Sequence, residues 1–255
     1  MARYYFLTNS LPTLRLGAAP EITFSGLLEL FQLNLTVKDL KLVQTFLTYI
    51  DLRNIRAFWM KEPLDPRGSF GEKEIEEALL ISDFLPPYVF DFLERYESLK
   101  DRLHFFSYLY FHFFQEGVQK KGFLGAFFQE EREIRLIMAA MRAKATKRNI
   151  ATELQFEDPK DPLVMQILSQ KDTEEYEPPA DYEWLKLIFK ENYNHPKNLA
   201  KAYLEKRIEM IQELEERFPK FSIDQLLGYM VRLLIVENWN ALDAVQARMI
   251  VDSIA

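Results

Sequence analysis

The chain has 255 residues, of which 48% are hydrophobic and 28% are charged, a composition that supports a folded core and excludes a disordered chain. It contains no cysteine, which excludes thiolate catalysis, zinc–thiolate sites and iron–sulfur ligation. Its formal net charge is −7, whereas nucleic-acid binders usually carry a basic surplus, so we expect no nucleic acid among its partners.

No segment of the sequence has the length and apolarity of a membrane span. The longest apolar or aromatic run, residues 103–114, is interrupted by His104, Ser107 and His112 and is shorter than the ~20 residues that cross hydrocarbon. Residues 1–7 lack the long apolar region and the cleavage site of a signal peptide. We therefore expect a soluble, cytoplasmic protein with no membrane span of its own.

The distribution of turn residues favours helices over strands. The 12 prolines fall in clusters, only 8 glycines occur, and no Asn-Gly or Asp-Gly pair is present to form a tight hairpin. The segments between the proline clusters have the length and the apolar period of amphipathic helices. We therefore predict an all-α fold made of many helices.

The first predicted helix runs from Thr36 to Lys61. Thr36 is a favourable N-cap, and apolar residues that include Leu47 and Ile50 follow at helical spacing. Further helices are predicted, in chain order, at residues 72–84, 87–96, 98–115, 123–147, 149–156, 163–170, 182–191 and 196–218, and from Ser222 onward. Outside the helix at 163–170, the acidic and proline-rich residues 157–181 are predicted to form an exposed linker.

Polar residues interrupt the apolar faces of three predicted helices, where a buried polar group is costly unless it is paired. Candidate partners lie at helical spacing: Asp51 with Asn54, Glu131 with Arg135, and Glu237 with Asn240. Two interpretations remain open. Either these are helix-face pairs or tertiary hydrogen bonds that fix the packing, or the chain is a threefold internal repeat with one such helix in each third. The second interpretation divides the single helical domain into residues 1–85, 86–175 and 176–255.

No pattern of reactive residues is present. His104, His112 and His195 lack a further ligand at metal-binding spacing, and we interpret them as core, boundary or helix-terminal residues. The segment from Gly68 to Lys73 superficially resembles a phosphate loop, but it lacks the required spacing and the Ser or Thr after Lys, and we interpret it as a turn. We therefore expect no catalytic residues, no cofactor and no metal, and a protein that is not an enzyme.

Two parts of the chain resemble a known family. The first is the Tyr-rich N-terminal segment at residues 4–12, followed by the end of the predicted helix at residues 49–56. The second is residues 130–144. They resemble a bacterial family associated with V-type ATPases. More distantly, they resemble the C subunit of the V-type ATPase/ATP synthase, which is called d in eukaryotes.

The family is similar in its recurrent helices of the form acid-x-x-Asn-Leu/Ile-Arg. Asp51, Asn54 and Arg56 match that motif, with Ile55 at the Leu/Ile position. The helix near residue 237 matches in its acid and its Asn, and the helix near residue 131 matches loosely because the Asn is absent. The residues singled out in this way are Asp51, Asn54, Arg56, Glu131, Arg135, Glu237 and Asn240.

The resemblance implies a non-catalytic coupling protein within a proton- or sodium-translocating complex. Its partners would be the cytoplasmic central stalk and the membrane rotor ring, and it would be peripheral to the cytoplasmic membrane through the complex. The resemblance further implies three similar helical units arranged as a funnel, although the chain is shorter than that family leads us to expect.

Two other functions remain open from the residues alone. An unrelated helical adaptor for protein–protein interactions would use the aromatic stretch 105–114 as an exposed surface. An enzyme with a helical fold would need a concave pocket with converging titratable groups, and the sequence offers no such constellation.

Overall fold

The computed structural model describes residues 3–81, 84–192 and 195–254, except for the side chains of residues 196 and 243–254. The described residues form thirteen α-helices and no β-strand, so the all-α prediction is confirmed. A short 3-10 helix, Ala180–Tyr182, precedes the eleventh α-helix. In chain order, the α-helices are α1 (Tyr5–Ser10), α2 (Phe24–Asn34), α3 (Val37–Met60), α4 (Glu72–Ala78), α5 (Pro87–Arg95), α6 (Leu99–His104), α7 (Ser107–Gly117), α8 (Phe123–Ala145), α9 (Ile150–Glu153), α10 (Pro162–Ser169), α11 (Glu183–Asn192), α12 (Pro196–Glu216) and α13 (Ile223–Ile254).

The helix α3 forms where its cap and apolar face predict it. The hydroxyl of Thr36 accepts a hydrogen bond from the backbone N–H of Asp39 at 3.2 Å, which satisfies one of the free donors at the helix start. The face that contains Ile50 is buried, with Ile50 itself at 0% exposure. The helix ends where Lys61 takes a positive φ of 57°, a backbone conformation that cannot continue an α-helix.

Two predicted helices are corrected by the structure. The predicted helix at 72–84 ends at Ala78, and Ser82 and Asp83 lie outside the described residues. The predicted helix at 98–115 is divided into α6 and α7, which meet at Phe105 and Phe106. Because this stretch is aromatic on nearly every side, its sequence has no apolar period that could reveal the division.

The predicted linker at 157–181 is also corrected in part. Tyr176 is buried at 3% exposure, and its hydroxyl donates a hydrogen bond to the side chain of Gln166 at 2.8 Å. Glu157 and Asp161 form ion pairs with α8, whereas residues 171–175 are exposed. Glu157, Asp161 and Tyr176 are therefore held against the fold, whereas residues 158–160 and 171–175 are exposed as predicted.

The chain divides into two compact units. Unit 1 comprises Met1–Leu40, Gly122–Phe127 and Glu177–Ala255, and unit 2 comprises Lys41–Lys121 and Phe128–Tyr176. Unit 1 is built around α13, which packs against α12 and α2, while α12 also packs against α11. The predicted subdivision at residues 85 and 175 remains a prediction.

The core of unit 2 is rich in aromatic rings. Tyr49 of α3 stacks on Phe113 of α7 with ring centroids 5.4 Å apart, and Phe113 meets the ring of Phe128 edge to face at 4.9 Å. Such pairs stabilise the core beyond the burial of apolar area, because the edge of one ring complements the face of another.

Within the described ranges, every helix is too short or too polar to cross a lipid bilayer.

Candidate functional site

Asp51 and Asn54 hold a loop of unit 2 onto α3. The carboxylate of Asp51 accepts the backbone N–H of Ser69 at 2.6 Å. The amide of Asn54 makes two hydrogen bonds with the backbone of Asp65, donating to its carbonyl at 2.9 Å and accepting its N–H at 2.8 Å. Both side chains are buried, at 2% and 1% exposure. We call them the loop anchors of α3.

A glycine allows this loop to approach the helix closely. A Cβ on Gly68 would lie 2.5 Å from the amide nitrogen of Asn54 and 2.7 Å from a carboxylate oxygen of Asp51, both too close for real atoms. Burial raises the pKa of Asp51 to about 6, and the hydrogen bonds from Ser69 and Phe70 oppose part of that increase. The turn predicted at residues 68–73 is therefore held by Asp51, and the chain just before it is held at Asp65 by Asn54.

Glu237 and Asn240 make an equivalent arrangement in unit 1. The carboxylate of Glu237 accepts the backbone N–H of Phe24, the first residue of α2, at 2.7 Å. The amide of Asn240 donates to the carbonyl of Ala18 at 3.0 Å. An acid at a helix N-terminus satisfies a free donor and complements the positive end of the helix dipole. These two residues are the loop anchors of α13.

Glu131 and Arg135 of α8 contact aromatic residues of unit 2. The hydroxyl of Tyr49 donates to the carboxylate of Glu131 at 3.1 Å. The guanidinium carbon of Arg135 lies 3.6 Å from the ring centroid of Tyr110, a close cation–π contact. Burial, with a smaller effect from Glu131, raises the pKa of Tyr49 far above its ordinary value, so the phenol is a permanent donor.

Two further carboxylates in unit 1 bind distant groups, and the sequence does not single them out. Asp224 accepts the backbone N–H of Phe123 at 2.8 Å, at the start of α8. Glu215 binds Arg232 through two hydrogen bonds of 2.7 and 3.0 Å, with both side chains largely buried. Nothing in the local sequence distinguishes these acids from solvated ones, because their partners lie 101 and 17 residues away.

Arg132 joins two acids of the predicted linker to α8. Its guanidinium lies 2.6 Å from a carboxylate oxygen of Glu157 and 3.0 Å from one of Asp161. Asp161 also caps α10 by accepting the N–H groups of Leu163 and Val164. The acidic residues after α9 are therefore part of the structure of unit 2.

A cavity of about 350 Å³ lies beside these ion pairs in unit 2. Its wall carries four arginines and two glutamates among apolar residues. These charged lining residues are Arg56, Arg135, Arg142, Arg148, Glu153 and Glu157. We call this the arginine cavity. Two of its arginines, Arg56 and Arg135, belong to the sequence-derived set, and the structure brings them together although they lie on α3 and α8.

The charges in the arginine cavity do not cancel. Glu157 is bound by Arg132 from outside the lining set, and Glu153 pairs with Arg148 at 2.9 Å. Among the described residues, no carboxylate forms an ion pair with Arg56 or Arg142. The Nε of Arg142 donates only to a carbonyl of its own helix, at 3.3 Å. The cavity thus has an excess of positive charge in a chain whose formal net charge is −7.

The described residues contain no group of three or more His, Asp or Glu side chains placed to hold a metal ion. His104 lines the arginine cavity, whereas His112 stacks against Tyr88 with ring centroids 5.8 Å apart. Burial lowers the pKa of His112. The two histidines lie on different helices, α6 and α7, so they do not share a helix face.

A family described as "Protein of unknown function (DUF2764)" matches the whole chain, residues 1–255. The chain belongs to this family. It is 27% identical to an uncharacterized protein of Chlamydia muridarum, over 92% of this chain and 91% of that protein. It is 32% identical to an uncharacterized protein of Chlamydia pneumoniae over 79% of each, and 28% identical to one of Chlamydia trachomatis over 71% of each. No solved structure gives a significant match.

This membership corrects the resemblance drawn from the sequence. The DUF2764 match and the three chlamydial relatives place the chain in a family of unknown function, and the identification with a family resembling the V-type ATPase C subunit is wrong. The motif that suggests it is short. In this structure its acid and amide hold a loop by binding backbone groups, which is a structural role that requires no particular family.

Proposed function

We propose that this DUF2764 protein is a non-catalytic coupling component of a V-type ATPase/ATP synthase, an ion-translocating complex. It would join the cytoplasmic central stalk to the membrane rotor ring, and would be cytoplasmic and peripheral to the membrane through that complex. The proposal concerns function alone and does not depend on membership of the C-subunit family.

The observation that supports the proposal is the use of polar side chains as loop anchors, of which Asp51 and Asn54 are buried at 2% and 1% exposure, whereas the anchors of α13 are only partly buried. Asp51 and Asn54 hold residues 65–69 in unit 2. In unit 1, Asn240 holds Ala18, which precedes α2, and Glu237 holds Phe24, the first residue of α2. A protein that transmits torque needs loops that stay closed under load, and buried hydrogen bonds raise the free energy of local opening. Because these side chains are committed to backbone groups, they are not free to act on a substrate.

The test is recovery of the tagged full-length protein from cells that also encode a V-type ATPase, after mild solubilisation of the membrane. We expect central-stalk and ring proteins to be recovered with it in comparable amounts. Asn54→Ala, which releases the loop, should reduce that recovery. Asn34→Ala, which removes only a bond to a carbonyl of its own helix, should not. Recovery of the tagged protein without any stalk or ring protein would overturn the proposal.

An adaptor for other protein partners is the second candidate, and one surface feature favours it. After α4, Leu80 is 82% exposed, Ile81 is 47% exposed and Phe84 is 58% exposed. Exposed apolar residues grouped in this way are typical of interaction surfaces. The aromatic stretch 105–114 is a poorer surface than the sequence suggests, because its buried members include Phe106, Leu109, Tyr110, Phe113 and Phe114.

The adaptor role makes a distinct prediction. Leu80→Ser should abolish the recovery of a specific partner outside the ATPase, since it removes an exposed apolar contact. Met165→Ser is the matched control, because Met165 is 52% exposed in the same unit but on α10. Equal recovery of every partner by both variants would argue against a docking surface after α4.

A further inference from the structure

We infer that the arginine cavity of unit 2 binds a small organic phosphate. This site goes beyond the proposed function and does not depend on it. Among the described residues, three arginines that form no ion pair with a carboxylate, Arg56, Arg135 and Arg142, line a cavity of about 350 Å³.

The cations reach the cavity from two separate elements. Arg135 and Arg142 are seven residues apart on α8, a spacing of two turns that places them on the same helix face. Arg56 comes from α3 and is exposed to solvent. Three guanidinium groups on one cavity repel each other, and an anion bound between them would offset that repulsion.

Arg135 is already held in position for such an anion. Its guanidinium lies over the ring of Tyr110, with 3.6 Å between its carbon and the ring centroid. When a guanidinium lies over a ring face, its N–H groups stay at the edge of the guanidinium plane. There they can donate hydrogen bonds to an oxyanion. A side chain that is fixed before binding loses less conformational entropy when the ligand arrives.

The carboxylates of the cavity do not prevent anion binding. Glu157 is neutralised by Arg132 at 2.6 Å, and the side chains of that pair are only 11% and 12% exposed. Glu153 pairs with the fourth arginine, Arg148, at 2.9 Å. Each lining acid thus pairs with an arginine other than Arg56, Arg135 and Arg142, with Arg132 shared between Glu157 and Asp161. Arg56, Arg135 and Arg142 are the arginines that would contact the ligand.

The size and the wall of the cavity indicate an organic phosphate. A volume of about 350 Å³ exceeds that of a single phosphate ion and lies in the range of small-molecule pockets. Leu103, Phe106, Leu136 and Leu154 add apolar surface to the wall, which would contact an apolar or aromatic portion of the ligand. Guanidinium groups bind phosphate oxygens through paired, charge-assisted hydrogen bonds.

Isothermal titration calorimetry of the full-length protein at low ionic strength tests the site with four probes. ADP should bind. Pyrophosphate should bind more weakly, because it leaves the apolar wall unfilled, and adenosine should not bind because it has no charge. Citrate, a polycarboxylate of similar charge, should bind at least about tenfold more weakly than ADP.

Variants then test whether the ligand binds in the arginine cavity. Arg56→Gln and Arg142→Gln should each weaken ADP binding about tenfold or more, through the loss of charge-assisted hydrogen bonds. Arg15→Gln, which removes an exposed arginine of unit 1, should change it less than about twofold. Circular dichroism of each variant shows whether the fold is kept.

Several results would overturn the inference. One is the absence of binding by both ADP and pyrophosphate, and another is tighter binding of citrate than of ADP. Binding that is weakened equally by Arg15→Gln and Arg56→Gln would show general charge attraction instead of a site.

Discussion

Replacement of Asp51 by asparagine tests whether the loop anchor of α3 carries a buried charge. Its pKa is raised from 3.8 to about 6, chiefly by burial. The folded state therefore binds the proton more tightly than the unfolded state does. The stability that this proton provides is fully present below the unfolded pKa of 3.8 and is lost as the pH rises through about 6.

The difference between the two pKa values corresponds to about 3 kcal/mol of unfolding free energy, most of which is lost between pH 4 and pH 7. Asp51 is only 2% exposed, so solvent does little to screen the effect of its charge on stability. The side chain of the Asp51→Asn variant does not titrate, and its oxygen could still accept the N–H of Ser69. The stability of the wild type relative to this variant should therefore fall by about 2 kcal/mol over that range of pH.

Urea unfolding followed by circular dichroism gives this difference at each pH, with both proteins measured in the same buffers. Titration of all other groups is common to the two proteins and cancels in the comparison. A difference that stays constant from pH 4 to pH 7 would refute the reasoning, because it would show that Asp51 has the same proton affinity in both states. A difference that rises with pH would show that its hydrogen bonds outweigh its burial.

Three other substitutions test the contacts that hold each unit together internally, each by urea unfolding. Gly122→Ala should cost about 2 kcal/mol or more, because Gly122 has a φ of +77° and a Cβ there would overlap the carboxylate of Asp224. A neutral result would show that the turn relaxes freely. Arg132→Gln should cost about 3 kcal/mol, since it leaves two largely buried carboxylates without their cation. Lys201→Gln is its control and should change stability by less than about 0.5 kcal/mol, because that pair is exposed. Equal effects in the two variants would contradict the role of burial. Asn54→Ala should cost about 2 kcal/mol, because it leaves a backbone N–H and a backbone carbonyl of the loop unpaired. A cost below about 0.5 kcal/mol would mean that water replaces the amide.

A cap together with a clear apolar period predicts α3 closely from the sequence. Thr36 and the face around Ile50 predict α3, and the predicted end lies one residue from the observed one. The short helices α1 and α2 precede it and are absent from the prediction. Thr23 does cap α2 by accepting the N–H of Gly26, but 11 residues with a glycine in the first turn give a weak periodic signal.

In the candidate site, the sequence can single out individual polar residues but cannot identify their distant partners. The cost of burying a polar group singles out Asn54 and Glu237 in the sequence; in the structure both bind backbone groups, but Asn54 is buried and Glu237 is only partly buried. Their partners cannot be found in this way, because Phe24 lies 213 residues from Glu237 along the chain. The sequence offers no reason to place Arg142 in a cavity with Arg56, because only the fold brings α3 and α8 together.

The acid-x-x-Asn spacing has a local structural role, and this explains why it led to a wrong family assignment. In α3 and in α13, the acid accepts a backbone N–H and the amide three residues later binds a backbone carbonyl of an incoming segment. Three residues make almost one helical turn, so both side chains lie on one face and can hold one stretch of irregular backbone. Any long helix that holds such a segment can use this pair, because the acid accepts one backbone N–H and the amide donates to one backbone carbonyl. The motif therefore reports a local hydrogen-bonding task within each unit and does not by itself indicate a family.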